Sequence, residues 1–284
     1  MQNKKDWLFE ISSKKTLFSL NLKEVWAYKD LLFLFVKRDV ITLYKQTILG
    51  PLWYLIQPLF TSVVFTLVFN NVAGITTGGI PAFLFNLAGI TTWNYFKECL
   101  VATSDTFKKN EAIFGKVYFP RMIMPMSIVV SNLLKFGIQL IIFIVFYFYF
   151  VFIKGDAIHP SKFIVFLPVL IILMGMLGLG LGMIISSMVT KYRDLTFLVS
   201  FGIQLLMYVS LVVIPLSLFQ EKGIEWLVKY NPMAHVIEMA RFMFLNEGTV
   251  SLFGIIYTSV ISIIVLIFGI LIFNKTEKTF IDTI

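Results

Sequence analysis

Six separate stretches of this chain match the length and apolarity that a helix needs to cross a bilayer, roughly 20 residues. They are Leu52 to Val72, Pro81 to Ala102, Pro125 to Ile153, Phe163 to Val189, Leu195 to Phe219 and Val250 to Phe273. In hydrocarbon every backbone N–H and C=O must be paired internally, which leaves helices and closed barrels. The alternating ten-residue segments of a membrane barrel are absent. The expected fold is an all-α integral membrane protein of six spans. Composition agrees, with 58% hydrophobic and 14% charged residues, against roughly 45–50% and about 25% in soluble domains. A disordered chain, a disulfide scaffold (Cys99 is alone) and a soluble enzyme are excluded. Two His and scattered acids offer no metal-ligand spacing, so neither a metal nor a cofactor is expected in this chain.

The net charge of +8 would point to nucleic acid in a soluble protein. Here it reads as topology, with no nucleic-acid partner. The first residues, MQNKKDWLFEISSKK, are polar and lack a signal peptide's apolar core, so internal spans are expected to drive insertion. With the N-terminus inside, the Lys and Arg of residues 1–50 fall in the cytosol. Lys97, Lys108, Lys109, Lys116, Arg121, Lys191, Arg193, Lys275 and Lys278 join them. Only Lys154, Lys162, Lys222, Lys229 and Arg241 fall outside, and Lys135 lies within a span. The positive-inside rule then gives N-in, C-in.

Three segments outside the spans carry structure of their own. Within the cytoplasmic segment 1–50, residues 22–47 read as an amphipathic interface helix preceding the six-span domain 51–284. Leu32, Phe33, Val36, Val40, Leu43 and Tyr44 share one face; Lys37, Arg38, Thr42 and Lys45 share the other. The loop 104–124 can hold a short helix, capped at Ser104 or Asp105 and ended by Pro120. It is either a handle for a soluble partner or a solvated connector. The outer segment 220–248 contains Trp226, Tyr230 and the turn Asn231-Pro232, then an amphipathic run through Met233, Val236, Ile237, Ala240 and Phe244. This reads as a re-entrant or interfacial hairpin before the last span.

Four strings carry a resemblance. LYKQTILGPLWYLIQPL from Leu43, KVYFPRMIMP from Lys116, KYRDL from Lys191 and YNPMAHVIEMARFMFL from Tyr230 occur in this order. Together they resemble the permease subunit of ABC-type polysaccharide exporters, the transporters of O-antigen, capsule and teichoic acid. The resemblance implies a multi-pass protein of the bacterial inner membrane that pairs with a second copy of itself. Each copy would dock on an ATP-hydrolysing subunit, which binds ATP and Mg. No G-x-x-x-x-G-K-[ST] occurs here, so another chain must bind the nucleotide. The implied cargo is a lipid-linked polysaccharide. A related ABC exporter for a drug, haem or small lipid is the alternative; a membrane transferase would need an acid/base or metal constellation that the spans lack.

Span two is the most informative face. Asn86, Gly89, Trp93, Asn94 and Lys97 form one helical stripe that should avoid lipid. It either lines a glycan conduit or makes a polar helix–helix contact. Trp53, Phe60, Phe83 and Phe85 offer flat faces for sugar C–H groups, or ordinary packing and interfacial belts. Lys135 either faces the conduit or snorkels, with Glu98 the nearest in-span carboxylate. The resemblance makes Lys37, Arg38, Lys45, Lys97 and the tight turn Leu49-Gly50 candidates for a lipid-pyrophosphate inlet. Attraction to anionic headgroups is the simpler role for those cations. Lys108, Lys109, Glu111, Lys116 and Arg121 are the candidates for ATPase coupling. Gly175, Gly178, Gly180 and Gly182 are expected to permit close helix packing.

Overall fold

The computed structural model describes residues 22–45, 50–114, 116–117, 119–192 and 194–281. Residues 46–49, 118 and 193, which belong to three of the strings quoted above, lie outside them, as does residue 115. So does Leu49 of the expected turn. Every regular element among the described residues is helical. Helices α1 (Leu22–Ala27) and α2 (Lys29–Lys45) come first. A 3-10 turn, Gly50–Leu52, leads into α3 (Trp53–Phe65), which continues as a π-helical turn, Thr66–Val72. Then follow α4 (Ala82–Ser104), α5 (Thr106–Phe114) and α6 (Ile123–Phe148), the last extended by Tyr149–Lys154. Helix α7 (Leu167–Lys191) is preceded by a 3-10 turn, and α8 (Leu195–Val209) follows it directly. Two short helices, α9 (Leu216–Glu221) and α10 (Trp226–Lys229), precede α11 (Pro232–Leu245) and the long α12 (Leu252–Ile281).

Four stretches among the described residues are long and apolar enough to cross a membrane: Trp53–Val72, Ile123–Lys154, Lys162–Lys191 and Leu252–Glu277. The other two expected spans differ from these for distinct reasons. Helix α4 is long enough but carries Asn86, Asn94, Lys97 and Glu98. It tolerates them because it is wrapped by α3, α6, α7 and α11. Helix α8 is short. The stretch Leu195 to Phe219 is helical only as far as Val209, and Leu211 takes φ 61°. Pro215 supplies the physical reason: it has no N–H to donate, and its ring would strike the carbonyl of Leu211 one turn back.

The centre is the stack α4–α7–α12, and glycine makes it possible. A Cβ on Gly178 would lie 2.7 Å from Cys99 Cβ, and one on Gly182 would lie 2.5 Å from Thr103 Cβ. Gly175 meets the Tyr95 hydroxyl on the same face. Gly180 turns the other way, onto the α12 backbone at Val265 and Leu266, and Gly269 returns the contact. Helix axes this close gain dispersion along their backbones that bulkier residues would forbid.

At the end of the bundle that carries α5, a chain of rings joins three elements. Phe35 of α2 lies 5.7 Å from Phe119, Phe119 5.9 Å from Phe114, and Phe114 6.0 Å from Phe107, which stacks on Phe273 of α12 at 4.5 Å. Helix α2 packs on α6 through this end. Its contact face runs through Leu31, Leu32 and Phe35, whereas Phe33 and Leu34 stay exposed. The expected apolar face put Phe33 with Leu32. A helix between protein and lipid has two apolar sides, and one stripe cannot separate them.

Candidate functional site

A groove of about 310 Å³ runs between α3, α4 and α8. From α3 come Gln57, Thr61 and Phe65, one helical turn apart. From α4 come Ile90, Trp93, Asn94, Lys97 and Val101, and from α8 Ser200, Ile203, Gln204 and Met207. The α4 wall alone, Ile90 to Val101, is about 16 Å long at 1.5 Å per residue. Every wall carries both polar and apolar groups. Gln57, Ser200 and Gln204 are exposed, and neither glutamine amide is hydrogen-bonded to a described residue. The hydroxyls of Thr61 and Ser200 return to their own helices at Gln57 O (2.8 Å) and Thr196 O (2.9 Å), which leaves their lone pairs facing out. Amides and hydroxyls in hydrocarbon are costly, so this flank faces water or another protein.

The expected stripe on α4 divides in two. Asn94 and Lys97 open into the groove, whereas Asn86, Gly89 and Trp93 are buried. Trp93 forms the groove floor, 2% exposed and 5.3 Å from the Phe96 ring. Asn86 is a helix–helix contact: its Nδ2 donates to Thr66 Oγ1 (3.1 Å) and Asn70 Oδ1 (2.9 Å). The candidate aromatics do not gather. Trp53 and Phe60 are exposed away from the groove, and Phe83 packs on Phe146 and Phe150 of α6. Phe85 lies under the guanidinium of Arg241.

Lys135 stands outside the groove. Its Nζ is 3.7 Å from Glu98 Oε2 and 5.3 Å from the Tyr54 ring centroid, while Lys97 holds the other Glu98 oxygen at 3.7 Å. A lysine at this depth costs about 2.5–3.5 kcal/mol on insertion scales, and Glu98 and the ring offset part of it. Lys135 instead lines a second cavity of about 350 Å³ with Arg38, Asp39, Lys109, Ser131 and Asn132. That cavity joins α2, α5 and α6. The inlet candidates are thus dispersed. Arg38 pairs with Asp39 at 2.8 Å, Lys37 and Lys45 are exposed, and Lys97 belongs to the groove. Gly50 has φ 49°, a left-handed turn before α3.

On α5, Lys108, Lys109 and Glu111 are exposed, as is Lys116 beyond it, while Phe107, Asn110 and Phe114 face inward. Lys109 bridges back to Asp105 at 3.0 Å. Arg121 is 7% exposed and presents no docking surface. It donates to Glu277 O (3.3 Å) and Phe114 O (3.4 Å), with the Glu277 carboxylate 3.9 Å away, and so ties the loop to α12. Burial lowers its pKa, and Glu277 opposes that shift.

In the hairpin, Trp226 and Tyr230 are exposed. Asn231 is buried and caps α11 by accepting from Met233 N at 3.0 Å, with Pro232 at the first helical position. Arg241, expected among the outer charges, is 1% exposed. Its signal was available: Glu238 and Arg241 stand three residues apart beside the apolar face of α11, the spacing of a helical ion pair.

The described residues thus form a helical bundle with four helices long and apolar enough to cross a membrane and a polar groove on one flank, an arrangement that fits a transport permease. Residues 30–245 match the ABC-2 type transporter family, and the chain belongs to it. Two O-antigen export system permease proteins RfbA of Klebsiella pneumoniae are 29% and 28% identical to it over 254 and 267 residues. These alignments cover 89% and 93% of this chain and 94% and 99% of the relatives. A permease of the same name from Myxococcus xanthus is 25% identical over 266 residues, 93% of this chain and 98% of its own.

Proposed function

We propose that the chain is the transmembrane half of an ATP-driven exporter that moves a lipid-linked polysaccharide across the bacterial inner membrane. It crosses six times, N-in and C-in, with α4 and α8 as the second and fifth spans and α9 to α11 as an outer re-entrant hairpin. Two copies pair, and two ATPase subunits bind ATP and Mg and dock on the exposed Lys108, Lys109 and Glu111 face of α5.

The observation that carries this reading is the groove. The amides of Gln57 and Gln204, free among the described residues, and the outward lone pairs of Thr61 and Ser200 stand on helices that otherwise show large apolar side chains, whereas Asn94 also donates to Gln139 Oε1 of α6 at 3.5 Å. A second copy facing α3 and α8 would close two such grooves into one conduit. Glycan hydroxyls would exchange hydrogen bonds with Gln57, Asn94, Lys97 and Gln204, while Phe65, Trp93 and Met207 contact sugar C–H surfaces. Such contacts are non-directional enough for a chain to slide. Motion would reach the spans through Phe107 and Phe114, which join the docking helix to α12 and α2. The ATPase supplies the phosphoryl chemistry; this chain binds, orients and excludes lipid.

The test begins with the tagged chain solubilised from its own membrane. An ATPase should co-purify, and replacing Lys108 to Lys116 by a Gly/Ser linker should uncouple vanadate-sensitive hydrolysis from export of radiolabelled lipid-linked glycan. A chain that purifies alone, with no associated hydrolysis, rejects the exporter reading. Export of a small hydrophobic substrate in place of glycan would move the assignment to another cargo.

A further inference from the structure

The groove ends where α8 does. Met207 is its last residue on α8, and Ile90 marks the same end on α4. Two residues past Met207 the helix stops, and Leu211, Val212 and Val213 continue as unwound chain that is at most 1% exposed. Buried backbone outside a helix needs partners for its carbonyls. Two side chains of the hairpin engage this region, one at the end of α8 and one at an unwound carbonyl. Asn231 Nδ2 donates to Val209 O (3.3 Å) and Ser210 Oγ (2.9 Å). Arg241 Nη2 donates to Val212 O at 2.7 Å.

Arg241 does more than satisfy one carbonyl. Its Nη1 donates to Glu238 Oε1 (3.2 Å), whose other oxygen accepts from Thr249 N (3.2 Å) at the exit of α11. Its guanidinium carbon lies 3.5 Å from the centroid of the Phe85 ring on α4. Gly89 makes room for this approach: a Cβ there would stand 2.4 Å from Val212 O and 2.8 Å from Arg241 Nη2. One cation therefore touches α4, the unwound end of α8 and α11, beside the last groove residue of α4. For stability alone, apolar side chains of like volume in place of both Glu238 and Arg241 would serve as well, because desolvation offsets most of a buried pair's attraction. What a planar, multiply donating cation adds is a fixed relation between three elements. Its Nε–H has no partner among the described residues, so this arrangement leaves one buried donor unmet.

We propose that Arg241 is the positioning residue of an outer gate. With Asn231 it clamps residues 209–213 to α11, so that the unwound segment and the hairpin move as one body. In the closed state that body seats against Phe85 and Gly89 and seals the outer end of the groove. Parting from that seat opens it, and a water or a passing hydroxyl then meets the unmet donor. The proposal rests on the conduit reading of the groove.

The test uses the full exporter, chain plus ATPase, in proteoliposomes without ATP or cargo. Two quantities are read in each variant: potassium leak, and hydrogen exchange at the amides of Leu211 to Val213. Arg241→Met should raise both by about tenfold, as expected from losing one charge-assisted hydrogen bond. Arg241→Lys, which can still donate to Val212 O, should fall between Arg241→Met and the parent chain. If Arg241→Met does not accumulate, Asn231→Ala replaces it, since the buried charge keeps its partner; a smaller rise in the same two quantities is then expected. Unchanged exchange overturns the clamp and leaves the conduit reading standing. Faster exchange without leak overturns the gate, while the conduit reading stands or falls separately by the export of labelled glycan.

Discussion

Helices α7 and α8 are neighbours in the chain, both apolar and separated only by residues 192–194, yet they meet opposite fates. On α7, Leu170, Met174, Leu177 and Met183 are buried together with Gly175, Gly178, Gly180 and Gly182. On α8 Ile203 alone is buried, and Phe197, Leu198 and Phe201 are 82%, 66% and 62% exposed. Apolarity says that a helix avoids water. It does not say whether lipid, a partner or its own chain covers it. Spacing of small residues does say so, because only backbone-close contact requires them. Thus α7 is the fixed post of the bundle, and α8 is a wall whose apolar face its own chain leaves uncovered.

The contrast is open to attack at both ends. The largest effect belongs to α7: Gly182→Leu forces a side chain into Thr103 and should cost about 3 kcal/mol, seen as loss of the folded peak in detergent size-exclusion chromatography. A Gly202→Leu change on α8, where nothing lies within 4 Å of the added Cβ, should leave that peak in place. Next comes the groove. Replacing Gln57 and Gln204 together by Leu should lower glycan export about tenfold, two hydrogen bonds' worth, with thermal stability unchanged. Smaller still, Leu198→Ser on the bare face should weaken self-association while shifting the stability of the single chain by less than about 0.5 kcal/mol. Native mass spectrometry measures the first and thermal melting the second. Smallest of all, Lys109→Ala removes an exposed bridge to Asp105 and should change stability by less than about 0.5 kcal/mol. Its effect belongs to ATPase docking, measured by co-purification. Equal losses from Gly182→Leu and Gly202→Leu would erase the distinction between the two helices.

Much of this arrangement was legible beforehand. The periodicity of Gly175, Gly178 and Gly182 announced a close contact, and Tyr95, Cys99 and Thr103 of α4 provide it. The polar stripe of α4 announced a face that shuns lipid. Its division was illegible, because Asn86 and Asn94 are chemically alike and only the surrounding helices send one inward and the other to the groove. The break in α8 was half legible. Pro215 marks it, but a leucine with positive φ is chosen by tertiary packing and not by its own preference. Arg241 was misplaced because counting charges treats an arginine near an outer loop as solvated. The burial of Arg121 is illegible for the mirror reason, since a basic residue in a loop suggests a solvated contact and not a brace.

The brace has a consequence for biosynthesis. A ribosome delivers Phe107 and Arg121 well before the 30-residue α12 that holds Phe273 and Glu277. Until the final helix is in place, Phe107 lacks its stacking partner and Arg121 lacks the Glu277 carbonyl and carboxylate. Truncation or failed insertion near the C-terminus therefore spoils a surface encoded more than a hundred residues upstream. A defect in the last helix is thus felt at α5 and the loop after it, the face that the proposed function gives to an ATPase.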